Sequence, residues 1–382
     1  MRLLSVRYPD TVVAAGADGA GPVRQVRGWW PAMRPGTAQA AVTAFHRGDP
    51  PRTSVHLVDL AGAGELAVPG TSLSPAALIA DRLPHYVFWS RSGRFLAIVQ
   101  PAGRTLGLRA WEVGKSASSV LLGGAPLFMD WSPVSDLLAI HHGETLSLCA
   151  LPGGELRQLS ANARGFRDPA FTADGQWLAW AEAEDNGVSL RALHLPSGHR
   201  VSGPRFEAPV AFLPGRSPTG VSVAVATPGE STVFAEVGTW QPGFEEYRVL
   251  FRGHHLAGWW SPTGERLAVL SPTFSGDGRF QVRFFDADGA PGCALEPIVL
   301  SADTRTAVSF FDQFGRSHSP WSTDGRWFTI GGRVATDGLH ASYGPPALDR
   351  VLAIDSTAAA RWQDLGRGTI GWVIATSGGG RP

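Results

Sequence analysis

At 382 residues with 43% hydrophobic content, the chain is long enough to bury one large core. Lys+Arg and Asp+Glu stand at 33 each, so neither sign of charge recruits a polyion, and no basic stripe interleaved with aromatics marks a nucleic-acid face. Nothing approaches 18 continuous apolar residues, and residues 1–10 are too short and interrupted for a signal-peptide core.

In chain order, the segments Arg2-Leu-Leu-Ser-Val-Arg-Tyr8 and Thr11-Val-Val-Ala-Ala15 read as strands. Around Trp29-Trp30 a longer turn precedes a late apolar run, Ala41-Val-Thr-Ala-Phe45. Ser54-Val-His-Leu-Val-Asp-Leu60 then alternates with period two, which marks a strand with one buried face. Residues 74–82, opening Ser-Pro-Ala-Ala-Leu, read as the one short helix.

A phrase follows that governs the rest of the chain: an aromatic residue, a tight polar turn, then a short apolar run. It reads Trp89-Ser-Arg-Ser-Gly-Arg-Phe-Leu-Ala-Ile98, then Trp131-Ser-Pro-Val-Ser-Asp-Leu-Leu-Ala-Ile140, then Phe171-Thr-Ala-Asp-Gly-Gln-Trp-Leu-Ala-Trp180. It returns as Trp260-Ser-Pro-Thr-Gly-Glu-Arg-Leu-Ala-Val269 and Trp321-Ser-Thr-Asp-Gly-Arg-Trp-Phe-Thr-Ile330, with a weaker copy at Phe212 and Ser217-Pro-Thr-Gly220. Trp131 lies 42 residues after Trp89, and Phe171 lies 40 after Trp131. That period holds about four short strands with their turns, at roughly 40–45 residues per blade. Glycine in the turn tolerates positive φ, and Pro or Asp starts it. The strand-like end Ile370-Gly-Trp-Val-Ile-Ala-Thr376 is expected to pair with the N-terminal strands across the closure of a ring, because a ring of blades leaves no open edge.

These phrases resemble the TolB-type propeller repeat, a relative of WD repeats whose core reads approximately Trp-Ser-Pro-Asp-Gly-x-x-Leu/Ile-Ala. The resemblance runs over most of the chain and is specific for fold rather than function. It implies an all-β fold, a single β-propeller of four-stranded blades over residues 1–382. Seven units are centred near Trp30, Trp89, Trp131, Phe171, Phe212, Trp260 and Trp321, with six or eight blades as alternatives. TolB carries a signal peptide and an α/β domain, and prolyl-oligopeptidase-like enzymes carry a hydrolase domain. The chain has room for none of these, so an isolated propeller is expected. The stretch Phe310-Phe-Asp-Gln-Phe-Gly-Arg-Ser-His-Ser-Pro-Trp321 also resembles one found in uncharacterised bacterial TolB-like proteins.

Motif chemistry is sparse. No Gly-x-Ser-x-Gly elbow occurs, and Gly114-Lys-Ser116 lacks the glycine that a phosphate loop needs five residues earlier, where Arg109 stands. Asp286-Ala-Asp-Gly289 opens like a calcium loop but lacks its later ligands. The pairs His141-His142 and His254-His255 point to opposite faces of a strand and cannot chelate together. Cys149 and Cys293 have no metal or redox spacing, and Cys149 reads as a small core residue. No metal and no cofactor is expected.

The candidate site comes from aligning the units. Residues just before each repeat aromatic start the innermost strand and converge on the central channel. There stand His85, Arg167, Asp168, Glu207, His255, Asp312, Arg316 and His318, whereas Pro126, Leu127 and Phe128 before Trp131 are apolar. The insertion before Trp321 adds Phe310, Phe311 and Phe314, which would either contact a partner or fold under as a channel plug. The expected function is a non-catalytic interaction module that presents channel mouth and loops to a protein partner, within a larger bacterial assembly. The alternative is a small-molecule-binding propeller, or a propeller lyase or hydrolase, with His318 or His255 as base and Arg316 holding an anion. The expected location is the cytoplasm, without a membrane span, and peripheral association with a membrane complex stays open.

Overall fold

The computed structural model describes residues 2–8, 10–16, 24–80, 83–215, 217–229, 233–273, 277–335, 345–356 and 361–374. Its strands form six antiparallel sheets of four strands and one sheet of eight. The eight-stranded sheet is two blades, 257–294 and 321–367, joined where Ile298–Leu300 pairs with both. Blades 1 to 5 span 29–67, 86–124, 127–160, 170–206 and 210–255, blades 6 and 7 are the joined pair, and the termini supply blade 8. In blade 8, Ile370–Ile374 is the innermost strand and pairs from Arg2↔Ile374 to Val6↔Ile370. The terminal strands pair with one another as expected, but they form a complete four-stranded sheet of their own, so the described blades number eight, the alternative, rather than the seven centred on the marked units.

The repeat phrase explains itself in hydrogen bonds. The hydroxyls of Ser90, Thr172, Ser261 and Ser322 accept from the backbone N–H five residues on, at 2.9–3.2 Å, and lock the first hairpin of each blade. Within those turns Gly93, Gly175, Gly264 and Gly325 hold φ between 66° and 75°, a region that L side chains rarely adopt. The apolar run that follows is the second strand, buried on both faces between neighbouring blades: Leu96-Ala97-Ile98, Leu138-Ala139-Ile140 and Leu267-Ala268-Val269 are all fully buried. That burial is why these strands read as continuous apolar runs rather than as alternation.

The repeat tryptophans tie each blade to the one before it. The indole N–H of Trp89 donates to Ala32 O at 3.0 Å, that of Trp131 to Phe88 O at 3.1 Å, and that of Trp321 to Trp259 O at 3.1 Å. Each acceptor sits one residue before the preceding blade's aromatic position. By this register the blade 1 position belongs to Met33, with Met33 opposite Ala40 as Trp89 is opposite Leu96. Trp30, where the sequence centred the unit, lies three residues earlier at a register shift, with φ 50°.

Two local expectations need correction. Residues 74–80 form turns rather than a helix, and residues 81 and 82 lie outside the described ones. Leu73 is bridged to Thr53 and Ala80 to Leu83, so too few residues remain between the bridges to nucleate a helix. The α-helices among the described residues lie in the insertion instead, and a 3-10 turn spans Pro346–Leu348. Those α-helices are α1 (Ala302–Ser309), capped by the Ser301 side chain on Thr304 N, and α2 (Phe311–Ser317).

Candidate functional site: a helix in the channel

Innermost strands leave one edge of backbone groups facing the channel, and such groups need partners. Helix α2 supplies them. The Gln313 amide accepts from Met129 N at 2.8 Å and donates to Met129 O at 3.0 Å, replacing a missing strand in blade 3. The Tyr86 hydroxyl of blade 2 donates to Gln313 O or Ser317 Oγ, at 2.9 and 2.7 Å. Phe314 packs on Trp30 of blade 1 with ring centroids 4.9 Å apart, and Phe311 packs on Phe234 of blade 5 and Trp259 of blade 6. At the far end, His318 O accepts from the Trp372 indole of blade 8 at 3.2 Å. Gly315 is required by proximity, because a Cβ there would lie 2.3 Å from Pro214 Cγ and 2.7 Å from Trp259 Cδ1. The insertion is a plug.

Its charges meet charges from the wall. Arg316 lies 2.9 Å from Asp130 Oδ2 and Arg167 lies 2.8 Å from Asp312 Oδ1, while Asp168 Oδ1 accepts from Met129 N at 3.2 Å. Arg167 also donates to Ser309 O at 2.8 Å and stands over the Phe311 ring. Three buried carboxylates thus share two guanidiniums. Burial, and then the neighbouring Asp312 charge, push the Asp168 carboxyl well above the usual range, and burial also raises that of Asp130 against the pull of Arg316.

The sign of that shift gives a test. A carboxyl whose folded pKa is raised keeps its proton when the unfolded chain loses it, so it costs stability as pH rises above about 4. Asp168→Asn retains the acceptor for Met129 N and removes the cost. The variant is expected to be more stable than the parent at pH 7 in urea unfolding, with the gain fading towards pH 4. Equal or lower stability at pH 7 would contradict a protonated Asp168.

Of the eight residues singled out from sequence, Arg167, Asp168, Asp312 and Arg316 come together in this cluster. His318 lies at the other end of the plug, with Nδ1 2.6 Å from Ser317 Oγ. His85 is buried with Nε2 2.7 Å from Thr71 O, and His255 is buried with Nδ1 2.9 Å from Gly253 O, between Phe234 and Phe251. Burial lowers all three imidazoles to about 4, so they are neutral at pH 7. Glu207 is exposed between blades 4 and 5 and takes no part. The eight do not form one ring around an open mouth.

Asp130 and Tyr86 were missed. Asp130 directly precedes Trp131 and is the one charged residue at that place among the repeat phrases, which is its signal in the sequence. Among the described residues no group of three or more His, Cys, Asp or Glu is arranged to hold a metal ion. Asp286–Gly289 is a hairpin turn whose Asp286 Oδ1 accepts from Asp288 N and Ala290 N. Cys149 is a buried free thiol, as its strand pattern suggested. A groove of about 330 Å³ lies between blades 6 and 7, lined by Phe284, Phe285, Pro291 and Ile354 with Arg266 and Asp355. Behind the plug is a cavity of about 40 Å³.

No family model matches the chain, and no curated protein matches it. Solved structures do. The dihydro-heme d1 dehydrogenase NirN is similar at 13% identity and TM-score 0.59, over 97% of this chain and 74% of that one. A prolyl endopeptidase structure is similar at 11% identity and TM-score 0.58, over 88% of this chain and 49% of that one. TolB from Acinetobacter baumannii is 14% identical with TM-score 0.40, over 64% of this chain, which spans 62% of the TolB chain. At these identities the likeness to the first two shows the fold, a β-propeller, and nothing of its chemistry.

Proposed function

We propose that the chain is a protein-interaction module that presents the plugged face of its propeller to a protein partner. The observation that carries this reading is the seating of α2 in the channel, where Gln313 and Arg316 pair with the wall. With α2 seated there, the outer side of the plug and the loops around it form the face offered to a partner, and the space left beside His318 is a cavity of about 40 Å³. Strand direction puts the connections between blades, and the hairpins joining second to third strands, on the same face as the plug. Exposed large side chains on that face include Leu78, Phe310 and Leu348, with Tyr8 on the hairpin between the second and third strands of blade 8. Phe244, also exposed, lies on the opposite face. Exposed apolar groups of this size support contact with a partner. Balanced charge argues against nucleic acid as that partner. No helix among the described residues is long and apolar enough to cross a membrane, and a cytoplasmic, bacterial assembly remains the proposed setting.

The test is affinity capture of the tagged full chain with mass spectrometry. Arg316 and His318 are buried and unsuitable as surface probes, so Phe310→Asp with Leu348→Asp is compared with Phe244→Asp. Partners retained by Phe244→Asp and lost at least about tenfold by the double variant are the expected outcome. Partners unaffected by the double variant, or no partner above background, would overturn the reading.

A further inference from the structure

Blade 1 carries a polar constellation that the plug does not use. Its third strand, Arg52–Asp59, places Arg52, Ser54 and His56 on one face, because alternate residues of a strand share a side. The outer strand Glu65–Ala67 pairs Ala67 with His56 and Glu65 with Val58, so Glu65 reaches that face one step away. The resulting distances are those of a nucleophile, a base and an orienting acid. Ser54 Oγ lies 2.9 Å from His56 Nε2, and His56 Nδ1 lies 2.6 Å from Glu65 Oε1. A second imidazole completes the row, with His46 Nε2 2.8 Å from Ser54 Oγ and its ring 4.7 Å from that of His56.

Glu65 Oε1 lies 2.6 Å from His56 Nδ1 as an ion-pair contact that lacks hydrogen-bond alignment. With the imidazole proton on Nδ1, Nε2 is bare to accept from the Ser54 hydroxyl. The Ser54 oxygen then accepts from the Nε2–H of His46. Burial lowers the basicity of His56 and Glu65 raises it, so the imidazole is neutral at pH 7 and able to take a proton. His56 is buried, while Ser54 is half-buried and His46 is exposed, so the hydroxyl faces solvent next to a shielded base.

We propose that Ser54, His56 and Glu65 form an esterase-type site on the outside of blade 1, acting on small carboxylic esters. This goes beyond the interaction reading and stands independently of it. Ser54 Oγ attacks the ester carbonyl carbon as His56 Nε2 takes the hydroxyl proton. The carbon–oxygen bond to the leaving alcohol breaks, and that alcohol departs with the proton from His56. Water, deprotonated by the same nitrogen, then attacks the acyl-Ser54 ester and releases the acid, restoring the serine. Glu65 is a positioning residue that acts through His56. Arg52, two residues before Ser54 on the same face, puts a cation roughly 7 Å along the strand, which favours esters with an anionic acyl group.

No motif search finds this site, because Ser54-Val55-His56 is too short a phrase to stand out and Glu65 joins it only through strand pairing.

The test treats the full chain with a fluorophosphonate probe, maps the modified residue by mass spectrometry, and follows p-nitrophenyl acetate hydrolysis. Labelling of Ser54 is expected, absent in Ser54→Ala, with the labelling rate about 10²-fold lower in His56→Gln. The groups facing His56 are Glu65 on the outer strand, His46 on the second strand, and Ser54 and Arg52 on its own strand. In Glu65→Gln the pH at which labelling switches on should therefore move down, while Glu65→Asp restores part of the rate. Thermal melting of each variant shows whether it is folded. No labelling of Ser54 in the folded parent would overturn the proposal, as would a rate unchanged in folded His56→Gln. A Glu65→Gln profile identical to the parent's would remove Glu65 from it.

Discussion

Arg316→Met is expected to lower the stability of the propeller by about 3–5 kcal/mol at pH 7, the range for breaking a buried ion pair by removing one partner. The Arg316 side chain is 7% exposed and its partner Asp130 9%, so water cannot take over the role of the guanidinium. Removing it leaves Asp130, Asp168 and Asp312 with Arg167 as their remaining neutralising charge in the cluster. Asp130 would then have to take up a proton, so the deficit should shrink as pH falls towards 4, where unfolded carboxyls protonate too. Arg316→Met combined with Asp130→Asn keeps an acceptor for Phe171 N, which Asp130 serves at 3.1 Å, and removes the orphaned charge. The double variant should therefore be more stable than the single one. Urea midpoints measure both comparisons. A loss below about 1 kcal/mol would place the pair at an exposed site.

Phe311→Ala should cost a similar amount, about 3–5 kcal/mol, as expected for truncating a fully buried phenylalanine. Phe311 is 0% exposed, with the rings of Phe234 at 5.6 Å and Trp259 at 6.2 Å and the Arg167 guanidinium over its face. Its neighbour Phe310 is 36% exposed, and Phe310→Ala should change stability by no more than about 0.5 kcal/mol. Adjacent phenylalanines in one short loop thus report opposite environments. Equal effects from the two variants would mean that the plug is not seated as described.

The fold was legible because its signals are local and repeated. The Trp-Ser-x-x-Gly phrases encode a hairpin, a hydroxyl that closes it, and an indole that reaches back to the preceding blade, all within a few residues. Blade 1 was misplaced by three residues because Met33 stands where other blades carry an aromatic, and Trp30 drew attention instead. The closing sheet was harder to count, since its strands come from opposite ends of the chain and share no phrase with the rest.

The channel was less legible, for a different reason. Position at the start of the innermost strands marked Arg167, Asp168 and Arg316, and the insertion before Trp321 brought in Asp312. Position could not say whether they face water or one another, because that depends on α2 entering the channel. The helix itself has weak signals: seven residues, an internal Gly315, and aromatics that look exposed in a loop. Only the matching groups across the ring, such as Gln313 against both backbone groups of Met129, hold it there. Likewise His85 and His255 read as mouth residues by position, yet each turns away to a nearby carbonyl.

Amide hydrogen exchange of residues 311–317 in the full chain tests the central claim most directly, that this helix fills the channel. Seven residues of helix alone give almost no protection. The seated plug should exchange as slowly as the buried second strands around Leu96–Ile98 and Leu267–Val269. Exchange of that segment at the rate of an exposed loop, while those strands stay protected, would contradict it.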